Sequence, residues 1–263
     1  MDALETHFAQ PHQREFFAQD LTPLAIYRRL KDRSGHAFLL ESVTGGDQVS
    51  RYSFLGSAPA EVCSLYPDRL EIDRRGEVET LTEDPLAGLR RRLGAIRSDA
   101  GPLPFAGGYV GYFGYDLVRL AERLPSAPPD PYGLPIAQLA RFDSVVVFDH
   151  AQQRLTVVSN EIDGEVDRVT ALAELDRLAG ILLEAREERL AGAVPPDLGE
   201  SPGMRPLVAA AAYEREVERA KEYIRAGDIL QVVLARRWQV ESAVEPEALY
   251  RAVRLINPSP YMV

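Results

Sequence analysis

FLLESVTGGDQVSRYSFLG, residues 38–56, decides the fold. Two runs rich in aromatic and branched apolar residues flank Thr44-Gly45-Gly46-Asp47, a composition that lets the chain double back at low conformational cost. Ala37 to Val43 and Arg51 to Gly56 are therefore expected to pair as an antiparallel hairpin. Glu61 to Leu65 and Arg69 to Ile72 are expected to continue the meander. Ser144 to Asp149 and Arg154 to Asn160 form a further hairpin around His150 to Gln153.

Helical signals separate these groups of strands. Thr22-Pro23 reads as an N-cap followed by proline in the first turn, with Leu24, Tyr27 and Leu30 at helical spacing and Gly35 as the stop. Asp84-Pro85 repeats that logic, with Leu86, Leu89, Leu93 and Ile96 on one face. Val166, Val169, Leu172, Leu175, Leu178 and Leu182 trace a longer amphipathic helix. Residues 192–206, GAVPPDLGESPGMRP, are rich in Pro and Gly without periodicity and mark a linker or crossover. Beyond it, Tyr213, Val217, Ala220 and Ile224 predict a helix stopped by Gly227. Ile229 to Val240 alternates like a strand, and Pro246 to Ile256 is a third helix opened by proline. Antiparallel hairpins with helices between them give an α+β fold.

Bulk properties narrow the function. Hydrophobic residues at 46% and charged residues at 27% are enough to build a sizeable core. A formal net charge of -10 argues against binding a phosphate backbone, so no nucleic-acid partner is expected. The single cysteine, Cys63, can form no internal disulfide and no cysteine metal cluster. No apolar run is long enough to span a bilayer, and the acidic, polar N-terminus shows no secretory leader, so no membrane association and a cytoplasmic location are expected.

The residues offer few catalytic signatures. Gly107, Gly108, Gly111 and Gly114 interleave with Tyr109, Tyr112 and Tyr115 but lack the spacing of a phosphate cradle, which favours a strand closely approached by another backbone. His7, His12, His36 and His150 are scattered, and none pairs at metal-ligand spacing. Ser42, Ser53 and Ser144 lack a nucleophile-elbow setting. Two features stand out. Glu41 places a carboxylate in an apolar strand, where it needs either an ion-pair partner such as Arg51 or a cationic ligand. Asn257-Pro258-Ser259-Pro260-Tyr261-Met262 is stiffened by two prolines, either as a rigid connection or as a preformed wall for a flat ring.

FLLESVTGGDQVSRYSFLG, GGYVGYFGYD (107–116), AGDILQVVLARRW (226–238) and NPSPYM (257–262), in that order, resemble the anthranilate synthase large subunit, component I. The resemblance runs from about Ala37 to the C-terminus. It implies residues 1–191 as a regulatory domain, 192–208 as a linker and 209–263 as the start of a chorismate-binding domain. It also implies conversion of chorismate to anthranilate and pyruvate, a lyase reaction fed with ammonia by a glutamine amidotransferase subunit (component II). Feedback L-tryptophan is then expected between the two motifs, with Leu40, Glu41, Ser42, Pro260, Tyr261 and Met262 as effector-site residues and Arg51 as an addition. Gln231 stands where water-using relatives carry a lysine; glutamine cannot serve as a general base, which suits ammonia as nucleophile. Aminodeoxychorismate synthase component I and a non-catalytic amino-acid-binding module are the alternatives. The chain ends in mid-motif, so a truncated fold is expected. The catalytic residues and the Mg2+ ligands of the family are expected beyond it, with no metal site in this segment and little activity in the fragment alone.

Overall fold

The computed structural model describes residues 7–18, 21–32, 36–41, 51–98, 101–187, 203–259 and 262–263. Two units emerge: residues 1–190 with Pro258–Val263, and Ala191–Asn257. Among the described residues of the first, eleven strands form two sheets. They are β1 (His7–Phe17), β2 (Ala37–Leu40), β3 (Tyr52–Ser57), β4 (Glu61–Leu65), β5 (Leu70–Arg74), β6 (Glu77–Leu81), β7 (Ile96–Ser98), β8 (Gly108–Phe113), β9 (Ala137–Phe142), β10 (Ser144–Asp149) and β11 (Arg154–Ile162). The six-stranded sheet has the order β2-β3-β10-β11-β1-β7, and the five-stranded sheet β6-β5-β4-β9-β8.

The hairpin expected from residues 37–56 forms: Ala37 faces Ser57 and Leu40 faces Phe54. Its turn, residues 44–47, lies outside the described residues. The meander does not continue in the same sheet. Ala58, held at a left-handed φ of 51°, turns the chain out of β3, and β4 begins the second sheet. The chain returns at Asp143, the single residue between β9 and β10. Pairing across this crossing slips by one position. Ala60 donates its N–H to Arg141 O at 2.8 Å, yet the residue aligned with Arg141 is Glu61. Two residues against one is the mark of a β-bulge, which bends the ladder and re-aims the next side chain. Strand alternation places Glu61 inward with Cys63 and Leu65.

Caps work as their chemistry requires. Thr22 Oγ1 accepts from Ala25 N at 3.2 Å, and Asp84 Oδ1 accepts from Ala87 N at 3.1 Å. The helices that follow are Pro23–Asp32 and Pro85–Gly94. Helix Arg168–Glu187 lies on the six-stranded sheet and buries Ala171, Leu175, Leu178, Ala179, Ile181 and Leu182. Each large apolar side chain so buried contributes roughly 1.5–3 kcal/mol before entropy is counted. Val169 and Leu172, expected on this face, are exposed instead. The face begins at Ala171, whose small side chain lets the first turn approach the strands.

Gly111 fulfils the expectation of close approach. A Cβ there would lie 2.8 Å from Leu139 Cα and nearer still to the Gln138 carbonyl oxygen. The tyrosines on either side are thereby held on a strand pressed against β9.

The second unit is differently made. Helix Ala210–Ala226 ends at Gly227 in the left-handed conformation, as its sequence predicts, and helix Pro246–Ile256 starts at its proline. The expected strand over Ile229 to Val240 shrinks to β13 (Trp238–Gln239), paired with β12 (Arg205–Pro206). Alternation alone does not make a strand; a ladder does, and only these two residues find one among the described residues. None of the described residues from 203 to 257 is buried.

Two outcomes are expected. Limited proteolysis should cut within residues 203–257 well before it cuts within 52–162; equal resistance would contradict the packing described. Gly111→Ala should lower stability by about 1–3 kcal/mol in a denaturant melt, because the β9 backbone cannot yield cheaply.

Candidate functional site

β2 is the edge strand of its sheet, and Glu41 follows its last residue. Glu41 N donates to Met262 O at 2.9 Å, and Met262 N donates back to Glu41 O at 2.8 Å. This isolated antiparallel bridge brings the two unusual segments of the sequence into contact. Both residues are buried, Glu41 at 2% and Met262 at 8% exposure, with Leu40 half-buried beside them. A carboxylate, a thioether and an apolar strand end thus share one small region, the mixture an amphiphilic ligand requires.

The other expected site residues divide into two groups. Ser42, Pro260 and Tyr261 lie outside the described residues. Arg51 is described, and the ion pair it makes is with Asp149, through Nε at 3.0 Å and Nη2 at 2.7 Å. Its guanidinium also lies 4.8 Å from the Tyr52 ring centroid. That partner on β10, rather than the hairpin neighbour expected, fixes the Arg51 side chain. Gln231 is exposed, on the irregular stretch of the second unit.

A second polar cluster was not legible as a site. At the crossing between the sheets, Glu61 accepts from the Tyr109 hydroxyl, from Arg74 Nε at 3.2 Å and from Arg92 Nη1 at 3.4 Å. Burial alone would raise its carboxyl, but the Tyr109 hydrogen bond and the Arg92, Arg141 and Arg74 charges outweigh that and hold it below the ordinary range. The same burial, with Glu61 nearby, pushes the Cys63 thiol up to about 12, leaving it unreactive at neutral pH. Arg141 pairs with Asp143 at 3.0 Å and with Glu165 at 2.6 Å. Desolvation raises the Asp143 carboxyl despite Arg141. The available signal was Glu61 itself, a charge sharing the inward side of β4 with Cys63 and Leu65.

With this geometry in hand, comparison with known proteins identifies the family. Residues 18–263 match the family described as chorismate binding enzyme. The chain belongs to that family. It is 37% identical over 261 residues to anthranilate synthase component 1 of Acetivibrio thermocellus, covering 96% of this chain and 52% of that protein. To the Thermus thermophilus component 1 it is 40% identical over 258 residues, again covering 96% and 52%. The structure superposes on anthranilate synthase component I from Streptococcus pneumoniae with a TM-score of 0.67 at 30% identity, over 94% of this chain and 54% of that one. The chain therefore spans about half the length of the relatives it matches. Its mixed fold of helices and sheets is that of anthranilate synthase component I. Among the described residues, no helix is long and apolar enough to cross a membrane.

Removing the inward carboxylate gives a direct test of the crossing. Glu61→Ala should cost about 2–3 kcal/mol, below the usual range for a fully buried pair because Arg74 and Arg92 are partly solvated. The sign with pH follows from the lowered Glu61 carboxyl. Its stabilisation is present above the unfolded carboxylate range and lost as pH falls through its folded value. Melting temperatures between about pH 6 and pH 3 should therefore fall less steeply for Glu61→Gln than for the wild type; parallel curves would show that Glu61 is not the group responsible.

Proposed function

We propose that this chain is a fragment of an anthranilate synthase component I that carries its regulatory site, acting with chorismate as substrate and a glutamine amidotransferase as the source of ammonia. The observation that carries the reading is the Glu41–Met262 bridge, which joins the segments on either side of the proposed effector site through paired backbone hydrogen bonds. The effector is L-tryptophan. Its ammonium faces the Glu41 carboxylate, its carboxylate takes donors at Ser42, and its indole lies against Leu40, Pro260, Tyr261 and Met262, with Arg51 at the rim. An amino acid needs those three chemistries within one pocket. Gln231 is the proposed residue at the ammonia position, a hydrogen-bonding side chain that cannot act as a base on water.

Tryptophan at this bridge would contact residues from both ends of the chain. A ligand shifts a conformational equilibrium only by its differential affinity for the two states. An arrangement that keeps Met262 beside Glu41 would be favoured by bound tryptophan over one that separates them. Mg2+, which the family resemblance implies, would activate substrate elsewhere. Among the described residues no group of three or more His, Cys, Asp or Glu side chains is placed to hold a metal.

Calorimetric titration of L-tryptophan into the 263-residue chain tests the reading. Saturable binding is expected, weakened about tenfold or more by Ser42→Ala and by Glu41→Gln, each of which removes a charge-assisted contact. Undiminished binding in both variants would overturn the site assignment.

A further inference from the structure

A cleft of about 380 Å3 opens at the crossing between the two sheets of the first unit. This volume is within the range of about 300–1,000 Å3 typical of small-ligand sites. Its walls are apolar and aromatic, from Leu93, Ile96, Phe105 and Phe142 among others, and its charged lining is Arg141 and Asp143. Several ion pairs set the charge balance of the cleft. Arg141 is shared by Asp143 and Glu165, while Glu61 is held by Arg74 and Arg92, which also reach Glu79. One guanidinium thus serves two carboxylates on the cleft side, Asp143 and Glu165.

The Arg141 guanidinium is also only partly used. Nη2 donates to Asp143 and Glu165 and Nε lies against Asp143, but Nη1 has no hydrogen-bond partner among the described residues. Arg141 Nε and Asn160 Oδ1, both from residues lining the cleft, are buried without a hydrogen-bond partner. A guanidinium with unsatisfied donors and a carboxylate that shares it with Glu165 therefore lie side by side against an apolar wall. A ligand matching all three presents a carboxylate to Arg141, an ammonium to Asp143 and an apolar side chain to Phe105 and Phe142.

We propose that this cleft binds a free α-amino acid with an apolar side chain, at a second site separate from the Glu41–Met262 region. An anion alone would meet the two carboxylates unfavourably, and a cation alone would meet Arg141. The zwitterion satisfies both, and the site discriminates by requiring both.

The test is calorimetric titration of the 263-residue chain with L-phenylalanine, phenethylamine and 3-phenylpropionate. L-Phenylalanine should bind saturably, with each analogue weaker by about tenfold or more because it lacks one charge-assisted contact. Ser98→Trp, which fills the cleft from β7, should abolish binding; Leu93→Trp serves in its place if Ser98→Trp melts early. Glu41→Gln should leave phenylalanine binding intact. Loss in Glu41→Gln would assign the amino acid to the Glu41–Met262 region and overturn the second site while supporting the first. Equal affinity for either analogue would overturn zwitterion recognition, and no binding below about 1 mM by the folded chain would overturn the site altogether.

Discussion

The passage of the chain from one sheet to the other at Asp143 is the constraint on which the rest of the first unit depends. Two strand pairs cross there together, β3 into β4 and β10 back to β9, and the ladder must bend without losing its hydrogen bonds. The bulge at Ala60 and Glu61 provides the bend. Strand alternation beyond the bend places a carboxylate inward, and a buried carboxylate demands cations. Arg74, Arg92 and Arg141 answer that demand from three different elements. Asn160 completes the junction, its Nδ2 donating to Ala106 O at 2.7 Å and to Asp143 O at 2.8 Å. Backbone geometry thus dictates the electrostatics, and the electrostatics tie both sheets to one place.

This arrangement also divides the core. Cys63, Leu65, Leu70, Ile72, Leu89 and Leu139 cluster on the five-stranded sheet, while Ala106, Phe142, Val145, Val147 and Val158 cluster on the six-stranded one. Phe142 sits immediately before the crossing residue and packs edge-on to Phe38 at 4.6 Å between centroids. A sheet buried on one face needs such a layer of large side chains. The polar seam lies between the two layers, where an unpaired charge would be costly.

Much of this was legible in the residues. Thr22-Pro23 and Asp84-Pro85 announced their helices because capping is local chemistry, and the hairpin of residues 37–56 declared itself by its pattern. Gly111 was read correctly as a point of close approach. The change of sheet after β3 was not legible, because it depends on Ala58 adopting a left-handed conformation that nothing in its side chain demands. The strand over Ile229 to Val240 failed for the converse reason: its alternation was real, but pairing is a property of neighbours. The site was half legible. Glu41 and Met262 were singled out one by one as oddities, yet only the resemblance suggested that they meet. Arg51 was assigned the wrong partner since Asp149, far along the chain, offered a better-placed carboxylate. The Glu61 cluster was missed because one inward glutamate in a short strand is a weak signal, and its arginine partners come from distant elements.

The Glu41–Met262 bridge has a kinetic meaning beyond the pocket it borders. It closes a loop between residues far apart in sequence, so it can form only after Met262 has been synthesised. Loop-closure entropy rises slowly with length, by about 0.6 kcal/mol per doubling, so the bridge is tolerable once the sheets exist but is a poor place for folding to begin. The N-terminal sheets can assemble first and wait with the edge of β2 open. The arrival of Met262 then closes that edge, and it comes from a segment whose prolines have already reduced the freedom it must give up.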